Sequence, residues 1–136
     1  MALQKNGDMK NENFKNWKPL DNIPAELYLD SLTDDHEGLT LILRGEDSDD
    51  AILIQFGLFV LSYQSTTEIC ILKTLDDNPK LKIPWPIFVS DTSSYIDWLV
   101  KQSTIIENET KLHYVIKHAD GLIDIVTSQE PLVKWS

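Results

Sequence analysis

Along the chain, apolar positions concentrate in "LTLILR" and "AILIQF", residues 39–44 and 51–56, two apolar, β-branched runs separated by the polar "GEDSDD". That arrangement predicts a hairpin of two strands joined by a six-residue loop. The apolar pattern continues through "GLFVLSY" to Tyr63, with Gly57 as a bulge or strand break. Residues 67–75, "TEICILKTL", fit either a strand or a turn and a half of helix. "DDNPKLKIPWP" carries three prolines and reads as a loop, and "IFVS" after it as a short strand.

The period changes at "DTSSYIDWLVKQS". Ser94 at the N-cap, with Asp97 three positions on, predicts a helix whose apolar face is Ile96, Leu99 and Val100, flanked by Tyr95 and Trp98. Alternation returns in "KLHYVIKHADGLIDIVTSQEP", where Asp120 and Gly121 predict a type I′ turn between strands near 111–118 and 122–127. Val133 and Trp135 are expected to fold the C-terminal end onto the core. Upstream, "WKPLDNIPAELYLDSL" is interrupted by Pro19 and Pro24, and its apolar set at Leu27, Leu29 and Leu32 suits a short helix or a short strand. Residues 1–16 are dominated by Asn, Lys and small polar residues, with Phe14 as a late apolar anchor, and are expected to form a flexible N-terminal tail.

Hairpins with one late helix predict an α+β class: one domain over 17–136, a mostly antiparallel sheet with one principal helix packed on it. A chain of 136 residues suits a single core. Its four Trp, four Tyr and four Phe supply bulky material for that core. Trp85, between two prolines, is assigned to the core rather than to an exposed interface.

Charge narrows the classes of function. Twenty-two Asp and Glu against 12 Lys and Arg give a formal charge of −10, which disfavours direct contact with nucleic acid or an anionic membrane and attracts a basic protein. Solubility alone also accounts for such a charge. The single cysteine, Cys70, makes no internal disulfide, the N-terminal segment lacks an export pattern, and no run approaches a membrane span; a cytoplasmic location is expected.

Candidate chemistry is sparse. "EDSDD" lacks the alternating spacing and closing Glu of a calcium loop. His36 lies among carboxylates in "DDHEG", while His113 and His118 are five apart on one strand and face opposite sides, so no metal site is expected. Cys70 in "EICILK" reads as buried and inert, and neither a nucleophile elbow nor a glycine-rich phosphate loop is present. A non-enzymatic protein without cofactor is expected. Seven carboxylates remain as a candidate partner-binding set: Asp34, Asp35, Glu37, Glu46, Asp47, Asp49 and Asp50, with Arg44 the one arginine among them. If 39–44 is the strand between them, the two groups lie about 20 Å apart, out of reach of one ion but within the span of one protein. "GEDSDD" is also explained as an ordinary polar turn.

The segments "LSYQSTTEICILKTL" and "SSYIDWLVKQSTIIENETKLHYVIKHADGLIDIVTSQEPLVKW" resemble small acidic bacterial immunity proteins of polymorphic toxin and contact-dependent inhibition systems. The resemblance implies a cytoplasmic inhibitor that occludes the active or substrate site of a cognate toxin with a basic domain. A small-molecule-binding domain, with a pocket between sheet and helix, is the alternative.

Overall fold

The computed structural model describes residues 13–103 and 108–136. In chain order its elements are β1 (Lys15–Asn16), β2 (Tyr28–Asp35), β3 (Gly38–Arg44), β4 (Ala51–Gly57) and β5 (Val60–Thr67). A 3₁₀ turn (Glu68–Cys70), α1 (Leu72–Asp77), a second 3₁₀ turn (Pro79–Lys82) and β6 (Ile87–Ser90) follow. The chain closes with α2 (Ser94–Gln102), β7 (Leu112–His118), β8 (Gly121–Thr127) and β9 (Leu132–Trp135). This is the expected α+β domain with one principal helix, although its strands form two antiparallel sheets, ordered β1-β6-β7-β8-β5 and β2-β3-β4-β9.

The two sheets share one core because alternate residues on each point at the other. Leu39, Leu41 and Leu43 on β3 and Ile52, Ile54 and Phe56 on β4 meet Tyr114 and Ile116 on β7 and Ile123 and Ile125 on β8. Phe56 and Tyr114 touch edge to face across the gap, with ring centroids 5.7 Å apart. Each fully buried aliphatic side chain here contributes about 1.5–3 kcal/mol relative to exposure. A second apolar cluster lies on the outer face of the five-stranded sheet, where Phe88, Val115 and Leu122 are covered by Phe14, Ile71 and Leu81.

Some local expectations are corrected, and two alternatives left open are decided. The tail does not extend to residue 16: residues 1–12 lie outside the described residues, but Phe14 is buried and Lys15–Asn16 pair with Phe88 and Val89. Residues 28–35 are strand, with a bulge at Asp30 between the paired Leu29 and Ser31. Residues 68–70 and 72–77 are helical, the 3₁₀ turn and α1. The helix cap is Ser93 rather than Ser94, its Oγ accepting from the Ile96 N–H at 3.1 Å.

The final hairpin forms, but its two loop residues are Ala119 and Asp120, because His118 pairs with Gly121. Neither loop residue has positive φ, so the turn is not type I′. Other contacts hold it: Ala119 N–H donates to Leu27 O at 2.9 Å, and Glu68 N–H donates to Asp120 O at 2.9 Å. Trp85 is half-buried between the two apolar clusters, its indole N–H donating to Trp17 O at 3.2 Å.

Candidate functional site

The β2–β3 connection is a two-residue turn, His36–Glu37, between the paired Asp35 and Gly38. Asp35 Oδ1 accepts from the Glu37 N–H at 2.9 Å, a side-chain cap that fixes the turn and leaves the remaining carboxylate oxygens in water. Asp34, Asp35 and Glu37 are all exposed. Asp34 accepts from the Tyr63 hydroxyl at 3.1 Å, and that hydrogen bond to a carboxylate is the main reason the phenol is held above its usual range.

Glycine brings a second turn against the first. Gly38 has φ of 102°, and a Cβ there would lie 2.1 Å from the Gly57 carbonyl, so the backbones ending β2–β3 and β4–β5 touch. Gly57, with φ of 68°, then starts the turn Leu58–Phe59. Both side chains point into solvent, with Leu58 73% and Phe59 47% exposed. Leu132, at the start of β9, is 72% exposed.

These apolar side chains sit among the acids. One open concavity of about 570 Å³ is lined by Asp35, Glu37, Phe59, Glu130 and Leu132. Another, of about 360 Å³, is lined by Asp34, Asp35, Leu58 and Tyr63. The Phe59 carbonyl, which accepts from Ser128 N–H and Thr127 Oγ1, both at 3.0 Å, ties the apolar turn to the end of β8. The result is an apolar centre inside a carboxylate rim on a well-anchored backbone.

Glu46, Asp47, Asp49 and Asp50 occupy the opposite end of β3 and are also exposed. Their loop is closed by its own hydrogen bonds. Arg44 Nη1 donates to Asp49 O at 2.9 Å while Arg44 Nε pairs with Asp30, and Ser48 Oγ accepts from Asp50 N–H at 3.1 Å. Asp47 takes the left-handed conformation with φ of 59°, which aspartate tolerates in turns. Glu46 is the largest influence raising the Tyr28 phenol above its usual value. The structure thus gives this loop the geometry of a self-contained turn, separate from the acidic and apolar end.

The cysteine departs from expectation. Cys70 is exposed, because "EICILK" leaves β5 as a 3₁₀ turn that buries Ile71 instead. His36 is exposed. His113 and His118 do face opposite sides of β7. Burial holds the His118 imidazole below its usual range, with Asp120 pulling partly the other way. Among the described residues, no three His, Cys, Asp or Glu side chains gather into a group able to hold a metal. No helix among them is long and apolar enough to cross a membrane.

His113 belongs to a buried row that the linear sequence does not announce. Its Nδ1 is 2.7 Å from Ser93 Oγ and its Nε2 is 2.7 Å from Asp124 Oδ1. The parts are those of a serine nucleophile, its base and an orienting acid, but Ser93 is 4% exposed and its oxygen caps α2. The row anchors the helix to the sheet. Tyr95 extends the anchor, its hydroxyl 2.5 Å from Ser62 Oγ.

Comparison of this chain with family models, curated proteins and solved structures returns no match.

Proposed function

We propose that this protein is a non-enzymatic binding module that inhibits a cognate toxin by covering a basic active or substrate site, acting as an immunity protein in the cytoplasm. The observation that carries the reading is the exposure of Leu58, Phe59 and Leu132 within the rim of Asp34, Asp35, Glu37 and Glu130. Interfaces are commonly built this way, with an apolar centre that sets residence time and charged edges that set the rate of encounter. The formal charge of −10 supports the second role, since carboxylates at the rim can occupy positions where a toxin would hold phosphate. The likeness to immunity proteins in residues 61–75 and 93–135 supports the choice of partner class.

The Asp34–Glu37 end is the primary contact in this reading, and the Glu46–Asp50 loop adds only long-range attraction. The test is capture of the partner on immobilised protein at about 0.1 M and about 1 M salt, followed by co-expression of the two proteins. A basic partner whose toxicity is suppressed by the wild type and not by Phe59→Ser supports the proposal. Equal suppression by Phe59→Ser contradicts it.

A further inference from the structure

The outer face of the five-stranded sheet carries a second concave site, lined by none of the acidic turn residues. A cleft of about 400 Å³ opens between α1 and the start of α2, with Asp124, Gln64 and His113 on the sheet side and Tyr95 on the α2 side. Its volume falls within the range of small-molecule sites.

The hydrogen bonds around Asp124 define what the cleft accepts. Oδ1 lies 2.7 Å from His113 Nε2, and among the described residues Oδ2 accepts from the Gln64 amide alone, at 3.3 Å. A carboxylate has about four lone-pair positions, so Asp124 keeps unfilled acceptor capacity, and its side chain is 13% exposed. His113 cannot take this role because both ring nitrogens are engaged.

Ser93 Oγ accepts the Ile96 N–H and lies against His113 Nδ1, while Nε2 of the same ring lies against Asp124 Oδ1.

The other charges of the lining cancel. Lys73 Nζ is 3.0 Å from Asp77 Oδ2, and among the described residues no Lys or Arg pairs with Asp124. Asn78 lies in the same wall, its amide nitrogen donating to Thr74 O at 3.0 Å. Phe14, Leu81 and Val115 add apolar surface beside these groups.

We propose that this cleft binds a small monocationic amine, its ammonium donating to Asp124 Oδ2 and its apolar stem lying on Phe14, Leu81 and Val115. A partly desolvated carboxylate gains a charge-assisted hydrogen bond from such a ligand and gains nothing from an anion. The site is independent of the protein-binding end.

Titration of the ¹⁵N-labelled full chain with 2-phenylethylamine at about 0.15 M salt tests it, with 2-phenylethanol and phenylacetate as neutral and anionic counterparts. The amine is expected to give saturable shifts at the side-chain amides of Gln64 and Asn78 and at the backbone of Asp124, and the two counterparts none. Asp124→Asn is expected to weaken binding by about tenfold or more. Lys73→Gln, at an exposed position, removes a competing cation and binds at least as tightly as the wild type. Absence of saturable shifts, an equal response to the alcohol, weaker binding by Lys73→Gln, or shifts confined to residues 34–37 and 46–50 would overturn the proposal. The last pattern marks ordinary counterion attraction to exposed acids.

Discussion

Gly38 lies so close to Gly57 that a Cβ on the first would fall 2.1 Å from the carbonyl carbon and oxygen of the second. This backbone contact places the acidic turn of β2–β3 beside the apolar turn of β4–β5, and so builds the candidate interface. Neither glycine touches a partner in this account; their role is to set two turns side by side.

Gly38→Ala therefore combines an unfavourable φ of 102° with a backbone clash. It is expected to cost about 3 kcal/mol or more, through strain at positive φ and displacement of one turn. Urea unfolding reads the effect directly. A loss under about 0.5 kcal/mol, the range of ordinary surface changes, would show that the contact does not constrain the turns.

His113 and Asp124 give a second prediction. Register pairs His113 with Val126, so Asp124 is its diagonal neighbour on the same outer face. His113→Ala leaves Asp124 without its best donor and removes the Ser93 contact, and is expected to cost about 2–3 kcal/mol. Asp124→Asn keeps an acceptor for Nε2 and is expected to cost less. The reverse order, measured by chemical denaturation, would contradict the hydrogen-bond assignment.

Stability near neutral pH should carry the signature of His118. Its folded value is lowered by burial from 6.5, so the unfolded chain binds the proton more readily. Above 6.5 the ring is neutral in both states and stability is unaffected; as pH falls below 6.5 stability is lost, until the folded ring also titrates. His118→Gln should flatten this part of the stability profile. An unchanged slope between wild type and variant would place the pH dependence elsewhere.

Much of the architecture was legible because its signals are local. The 39–44 and 51–56 hairpin follows from two apolar runs around a polar loop, and the strand order at the second hairpin follows from its short turn. The second sheet was not legible, since alternation predicts that a strand has a buried face but not which sheet covers it. The Ser93 cap was missed by one residue because two adjacent serines carry the same local signal, and tertiary contacts select between them. Cys70 looked buried because its neighbours are apolar, but the chain leaves the strand there.

For the candidate sites, the carboxylates were visible as composition, whereas the apolar residues that give one cluster a centre were read simply as strand. Leu58 and Phe59 are exposed only because Gly57 turns the chain. The Ser93, His113 and Asp124 row comes from three segments with no shared motif. Hairpin register alone would have placed His113 and Asp124 on one face, a signal available once the loop is set at Ala119–Asp120.

Charge neutralisation separates the two acidic groups. Asn or Gln at Asp34, Asp35, Glu37 and Glu130 should weaken partner binding by roughly 1–3 kcal/mol in all, about ten- to hundredfold in Kd, mostly through slower association at low salt. The same change at Glu46, Asp47, Asp49 and Asp50 should have a smaller effect that disappears at about 1 M salt. Equal losses from the two sets, or a larger loss from the second, would move the interface to the opposite end of β3.

The most direct measurement is the Kd for the captured partner of wild type and of Phe59→Ala, with the melting temperature of each variant recorded alongside. Phe59 is 47% exposed, so its truncation should leave stability nearly unchanged while weakening binding by about 2 kcal/mol or more, roughly thirtyfold, through faster dissociation. Binding by Phe59→Ala within about twofold of wild type, against the loss of an anchoring side chain, would contradict the assignment of this end as the interface.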